Sequence, residues 1–378
     1  MKINFSFGKE WSELKKFEKL SDIERSIVFY AENKASMNHF RLLISYLTEE
    51  MNLKICYVTS VKNDPIFLEK NENVNSFFIG DGTARTKFFL TLKAKILIMD
   101  MPDLETYHIK RSKVFPVHYI YIFHSMFSIH SYLRKGAIDN FDTIFCVGKH
   151  HVNEILEIEK IYGLKPKKLI EYGFGRLDTL LNEKKEARED NYEEDLVILA
   201  PTYGKDNFLK ICGIEIINIL LESGFKILLR PHFRIFQETP DLIDEINEKF
   251  QNHENFKLEK GIITKEDFHS SRCLISDWSG ISMEYAFVFE RPVIFIDVPQ
   301  KILNDEKEKI SIIPLEVSIR EKIGFLADTK KLDRLPEIIR GINSESSNQI
   351  RKICSETVFN IGKSAKVGAE HIQKILDS

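Results

Sequence analysis

The sequence predicts an α/β protein of two domains, each a doubly wound parallel sheet, and three observations carry that expectation. Short apolar runs rich in β-branched and aromatic residues alternate with longer amphipathic stretches, the pattern of parallel strands joined by helical crossovers. The alternation is broken by a run of charge, NEKKEAREDNYEED at 182–195, and then starts again. The chain has 378 residues, and a prior of roughly 150 residues per domain gives it two cores to build.

In the first half, strands are expected at Ser26–Ala31, Lys54–Thr59, Ser76–Ile79, Ala94–Met99, His118–Phe123, Thr143–Val147 and Lys168–Glu171. Helices are expected at His39–Met51 and Lys149–Tyr162, where apolar positions recur at helical spacing. The charge run has no apolar face to bury, so 183–195 reads as a linker. After it come strand Leu196–Ala200, helix Leu209–Glu222, strand Lys226–Leu229, helix Asp241–Phe250, strand Cys273–Ile275, helix Ile281–Phe289 and strand Pro292–Ile296. The expected boundaries are 1–182 for the first domain, 196–346 for the second, and 347–378 for a C-terminal helix able to pack back on the first.

Composition narrows the function. Hydrophobic residues make up 43% and charged residues 29%, the balance of an ordinary globular enzyme. With 54 basic against 57 acidic side chains the net charge is -3, which supplies no field for nucleic acid. The five cysteines, Cys56, Cys146, Cys212, Cys273 and Cys354, are scattered without metal-ligand spacing, as in a reducing cytoplasm. The start, MKINFSFGKEWSELKKFEKL, lacks the apolar core of a signal peptide. No window reaches the roughly 18 apolar residues of a membrane span. Cytoplasmic placement with at most peripheral contact at the inner face of the membrane is therefore expected, through basic amphipathic stretches such as Lys9–Lys19 and Lys165–Lys168.

The chemistry-bearing residues fall where strands end. In SDWSGISMEYAFVFERPVIFID, 276–297, a polar turn follows an apolar strand and opens a helix. Free N–H groups and the helix dipole there suit a phosphate. Ser276, Asp277, Ser279, Gly280 and Ser282 are the candidates, with Glu284 one turn on in reach of ribose hydroxyls. Ser and Asp also simply cap helices, and the pattern alone leaves both roles open. Arg230-Pro231-His232 follows the strand KILL, where Arg230 and His232 can clamp a diphosphate and His232, titrating near neutrality, can protonate a leaving phosphate. Thr202 and Lys205 follow Leu196–Ala200 and can touch the same phosphate. His124 ends the strand His118–Phe123 beside Ser125 and can take a proton from an acceptor hydroxyl. Arg176 and Asp178 sit in the glycine turn GFGRLD and are candidates for the acceptor side. His130, His150 and His151 read as surface residues. Gly80–Arg85 lacks the third glycine of a dinucleotide loop, and no G-x-S-x-G, H-E-x-x-H or D-x-D element occurs, so no metal ligands are assigned.

Taken in order, these segments resemble the CDP-glycerol:poly(glycerophosphate) glycerophosphotransferase family, the teichoic-acid and capsule polymerases of GT-B fold. His124 stands at that family's histidine-glycine pair, Gly173–Asp178 at its G-x-P-R-x-D, Pro201-Thr202-Tyr203 at its P-T-W/Y, Arg230-Pro231-His232 at its R-P-H and Ser276–Ser279 at its S-D-x-S. Ser125, Gly175 and Gly280 depart from the pattern, replacing glycine, proline and serine. The resemblance implies that His124 activates the acceptor hydroxyl and that Arg230 and His232 hold the donor diphosphate. It implies a nucleotide-activated donor such as a CDP-polyol as substrate, no cofactor or metal, and a lipid-linked or oligosaccharide acceptor. The expected reaction is a displacement in the cleft between domains that releases CMP and extends teichoic acid, capsule or lipopolysaccharide. Rival readings are a GT-B glycosyltransferase or sugar-nucleotide epimerase using a UDP- or CMP-sugar, suggested by Ser279-Gly280 and Glu284, and a non-catalytic nucleotide- or polymer-binding module.

Overall fold

The computed structural model describes residues 8–186, 193–260, 265–343 and 345–378. The chain forms two compact units. One comprises the stretch up to Thr179 with Glu306–Ile310 and Val358–Ser378, and the other Leu180–Asp305 with Ser311–Thr357.

The first unit is built on seven parallel strands: β1 (Ile27–Ala31), β2 (Ile55–Thr59), β3 (Val74–Phe78), β4 (Ile96–Met99), β5 (His118–Ile122), β6 (Thr143–Cys146) and β7 (Lys168–Glu171), in the order β3-β2-β1-β4-β5-β6-β7. Parallel sheets covered on both faces need strands apolar on both faces. IVFYA of β1 and ILIM of β4 meet that demand and are buried throughout. The order reverses between β1 and β4, which pair from Ile27 against Ile96 to Tyr30 against Met99. Their carboxyl ends therefore flank the crevice where doubly wound sheets bind ligands. β7, KLIE, is an edge strand, with Lys168 and Glu171 exposed as edge protection.

The second unit carries β8 (Leu196–Ala200), β9 (Lys226–Leu229), β10 (Phe256–Leu258), β11 (Cys273–Ser276), β12 (Val293–Ile296) and β13 (Gly324–Ala327), in the order β10-β9-β8-β11-β12-β13. Its switch point lies between β8 and β11, paired from Cys273 against Val197 to Ser276 against Ala200. Val197, Leu199, Ile227 and Ile275 of the sheet share a core with Phe208, Ile216 and Leu220 of the helix Phe208–Glu222.

Four expectations need correction. The single helix expected over 347–378 is two, Glu345–Thr357 and Ser364–Leu376, assigned to different units. Asp178, expected at the acceptor, is instead buried and ties down the second of them. Its Oδ1 accepts from Gly362 N at 2.7 Å and its Oδ2 from Ser364 N at 3.0 Å and from Ser364 Oγ. These are N-terminal capping bonds, which an anion strengthens. From that anchor Ala369 and Ile372 join the core of the first sheet. Gly173 serves the same junction: with φ at +102°, it leaves room for the carbonyl oxygen of Phe359, which a Cβ would strike. The linker expected at 183–195 is partly helical, since the helix Gly175–Glu186 runs into it; its residues 187–192 lie outside the described ones. Lys9–Lys19 does not offer a free membrane face. In the helix Lys9–Glu18 the apolar residues Leu14 and Phe17 are buried, Phe17 edge-on to Phe77 and Phe88. In Lys165–Lys168 the Lys167 side chain is buried in a 3.3 Å pair with Glu159, which leaves Lys165 and Lys168 exposed.

Candidate active site

Each unit gathers polar residues at its own switch point. In the first unit, β5 delivers His124 just past its carboxyl end. His124 Nδ1 lies 3.0 Å from the backbone oxygen of Asp100, which follows β4. A carbonyl only accepts, so Nδ1 carries the proton and Nε2 keeps its lone pair. That lone pair faces the Tyr132 hydroxyl at 3.4 Å. Burial holds the imidazole below its ordinary 6.5, so it is neutral at pH 7. Ser125, expected to touch the acceptor, instead accepts from Phe127 N at 3.2 Å and shapes the turn.

The Asp100 carboxyl is buried and accepts from Ser36 Oγ at 2.9 Å, Ser36 being the first residue of the helix Ser36–Ser45 that follows β1. Burial pushes this carboxyl up to about 7 despite that bond. One turn along the same helix, the His39 ring stands 6.3 Å from that of His124. Burial first, then the neighbouring His124 and Arg176 charges, hold His39 well below the usual imidazole range, which places Arg176 in the same neighbourhood. Near the His124 turn, two of the three histidines expected on the surface, His130 and His151, are buried, and His150 is half-buried. His130 Nδ1 is 3.1 Å from Glu154 Oε2, which also accepts from Ile129 N at 2.6 Å. His151 Nε2 reaches Phe127 O and His150 Nε2 reaches Met126 O, each at 2.9 Å. The helix Lys149–Tyr162 thereby braces the segment bearing His124 and Tyr132 from beneath.

In the second unit, Asp277 follows β11 and is buried with Oδ1 accepting from Thr202 N at 2.8 Å and Oδ2 from Phe208 N at 3.0 Å. It holds the loop after β8 instead of facing a ligand. Ser276 Oγ donates to Ala200 O at 2.7 Å and Ser282 Oγ to Ser279 O at 2.8 Å, so neither hydroxyl proton is left for a phosphate. Ser279 and Gly280 stand half-buried at the entry of the helix Ile281–Phe289, Glu284 is half-buried in its first turn, and Lys205 is exposed in the loop after β8.

That loop presents Tyr203 to His232, with ring centres 4.6 Å apart. Around them stand cations. The Arg234 guanidinium lies 4.2 Å and the Lys301 ammonium 2.9 Å from the Tyr203 ring centre. Burial, then Lys301, Arg234 and Arg230, push His232 down to about 4. With no anion beside it, His232 is therefore neutral at pH 7. Its Nδ1 accepts from Arg234 N at 3.2 Å, which puts the ring proton on Nε2 and makes His232 a neutral donor to an anion. Burial and the Arg234 charge bring Lys301 down to about 8. Cations crowded around one ring, with the Lys301 ammonium brought down among them, are the complement of a polyanion such as a diphosphate.

Sequence reasoning missed Ser36, His39, Asp100 and Lys301. None sits in a motif; the strand order alone brings Asp100 beside the helix after β1.

The wall teichoic acid polymerase TagF superposes with a TM-score of 0.59 at 16% identity, over 97% of this chain and 94% of that one. The S. aureus MnaA–UDP structure gives 0.61 at 14%, over 93% and 97%. The Methanocaldococcus jannaschii UDP-GlcNAc 2-epimerase with UDP-GlcNAc and UDP gives 0.57 at 16%, over 93% and 99%. At these identities the likeness is one of fold, the GT-B arrangement of two parallel α/β sheets. No curated protein sequence matches the chain. The family model for CDP-glycerol:poly(glycerophosphate) glycerophosphotransferase matches residues 16–308, more than half of the chain, and the protein belongs to that family.

Proposed function

We propose that the protein transfers a phosphopolyol, glycerol phosphate or a close relative, from a CDP-activated donor to a hydroxyl of a growing cell-envelope polymer. The observation that carries this reading is the pairing of two chemistries in a chain of this family: a neutral histidine that keeps its Nε2 lone pair, held by nothing closer than the 3.4 Å contact from the Tyr132 hydroxyl, in one unit, and a cation cluster suited to a diphosphate in the other. In this reading the second unit holds the donor pyrophosphate with Arg230, Arg234, Lys301, the His232 Nε2–H and the helix entry at Ser279 and Gly280. His124 Nε2 takes the proton of the acceptor hydroxyl, whose oxygen attacks the polyol-bearing phosphorus as the bond to CMP breaks. The cations stabilise charge on the phosphates as CMP departs, so the reading requires no metal ion. The acceptor is a lipid-linked or oligosaccharide chain, reached from the cytoplasmic side.

The test is calorimetric binding of CDP-glycerol and of UDP-N-acetylglucosamine to the wild type and to Arg230→Ala. CDP-glycerol bound by the wild type and weakened about tenfold or more in the variant is the expected result, the size of one lost charge-assisted contact. Binding of the UDP-sugar alone moves the protein to the epimerase or glycosyltransferase reading.

Lys301 gives a sharper check. Because its ammonium is brought down to about 8, the charge is complete below that pH and is lost as the pH rises through it. Donor affinity is expected to hold steady from pH 6 to 7.5 and to fall above 8, and Lys301→Met is expected to be weak and flat across the range. A wild-type affinity unchanged to pH 9.5 contradicts the assignment.

A further inference from the structure

We propose that His39 is a second functional histidine of the first unit, donating a hydrogen bond to the same acceptor hydroxyl from which His124 takes the proton. The inference rests on the phosphopolyol-transfer reading and names a group that the reading does not use.

The two rings sit on either side of the β1/β4 switch point, His39 on the helix that leaves β1 and His124 at the end of β5, with ring centres 6.3 Å apart. His39 Nδ1 is enclosed and makes no hydrogen bond among the described residues, while the residue as a whole is only half-buried. Nε2 is thus the nitrogen able to meet a ligand. Orphaned buried N–H groups are rarer than under-satisfied acceptors, so the enclosed Nδ1 is the bare one and Nε2 carries the proton. His124 has the opposite tautomer, with its proton tied to Asp100 O and its Nε2 lone pair towards the Tyr132 hydroxyl at 3.4 Å, a long contact that an acceptor alcohol would displace.

The pair therefore offers one donor and one acceptor. An alcohol oxygen is the complement of such a pair, since it accepts one hydrogen bond and donates another. Two such bonds of about 2.8 Å each, bent at the oxygen, span the gap between ring edges set this far apart. As the O–H proton passes to His124 Nε2, negative charge grows on the oxygen that His39 holds, and the His39 bond strengthens with it. No proton leaves His39 in the step. Burial keeps both rings neutral, so they share the site without repulsion.

The competing explanation is that His39 only packs against Phe174, whose ring centre is 5.9 Å away. Transfer from CDP-glycerol to a short synthetic poly(glycerol phosphate) separates the two, measured on the full chain as wild type, His39→Ala and His39→Gln, with donor affinity taken alongside. Glutamine keeps an N–H donor near the place of Nε2. The expected result is a loss in acceptor kcat/KM of about tenfold or more for alanine, substantial recovery with glutamine, and the same CDP-glycerol affinity in all three. Wild-type acceptor kinetics in His39→Ala, a glutamine variant no better than alanine, or an equal loss of donor affinity overturns the role of His39 and leaves the transfer reading standing. A wild type that binds or transfers nothing from CDP-glycerol overturns the reading and this inference with it.

Discussion

His124→Ala is expected to lower kcat for phosphopolyol transfer by about 10²–10⁴-fold, the usual contribution of a positioned general base, while CDP-glycerol affinity stays at the wild-type value. The size follows from how completely the imidazole is prepared. Its tautomer is fixed by Asp100 O at 3.0 Å, and its Nε2 lone pair meets the Tyr132 hydroxyl at a long 3.4 Å. Donor affinity is expected to be spared because the cations proposed to hold the diphosphate belong to the other unit. The pH dependence has a definite sign. A base works deprotonated, and burial holds His124 below 6.5, so kcat/KM is expected to persist through pH 6.5 and to fall only at more acid values. A pH–rate profile of wild type shows this limb directly. Loss of donor binding in His124→Ala contradicts the assignment as base.

The second large effect is on stability. Asp277→Ala leaves the N–H groups of Thr202 and Phe208 buried without their acceptor, and at about 1–3 kcal/mol per orphaned donor the second unit is expected to lose about 3 kcal/mol. For a domain of this size that is a fall in melting temperature of roughly 6–12 °C. Burial raises the Asp277 carboxyl to about 6 against an ordinary 3.8. Its ionised form therefore weakens the fold as the pH rises from the unfolded value through 6, and relief of that penalty offsets part of the loss. Asp277→Asn restores one acceptor and sets an amide N–H against the other donor, so an intermediate melting temperature is expected. Donor affinity should fall with the same variants, because the loop they release carries Tyr203 and borders His232 and Lys301. Calorimetric melting with and without CDP-glycerol checks both statements, and an alanine variant as stable as the wild type contradicts them.

The fold was largely legible in the sequence because it is written in local pattern. A strand buried on both faces has to be apolar throughout, and Leu196–Ala200, Lys226–Leu229 and Lys168–Glu171 fall where the runs place them. The elements missed were those with weak local signals. β10 has only Phe256–Leu258, and β13 opens with Gly324, whose lack of a side chain allows close approach to Val293. The site was legible only where chemistry coincides with a motif. His124, Arg230 and His232 end strands and could be read from that position. His39, Asp100 and Lys301 could not, because what makes them notable is a neighbour far off in the chain. Asp178 shows the converse: its place in a glycine turn suggested a ligand, but its partners, Gly362 and Ser364, lie at the other end of the sequence. Polarity alone places His151 on the surface, whereas the face of the helix Lys149–Tyr162 on which it lies is buried.

The most direct test of the central claim is phosphorus NMR of the products formed from CDP-glycerol and a poly(glycerol phosphate) acceptor. Phosphopolyol transfer predicts free CMP and one new phosphodiester for each donor consumed. Donor left intact while UDP-N-acetylglucosamine is turned over to a glycoside or an epimer would contradict it.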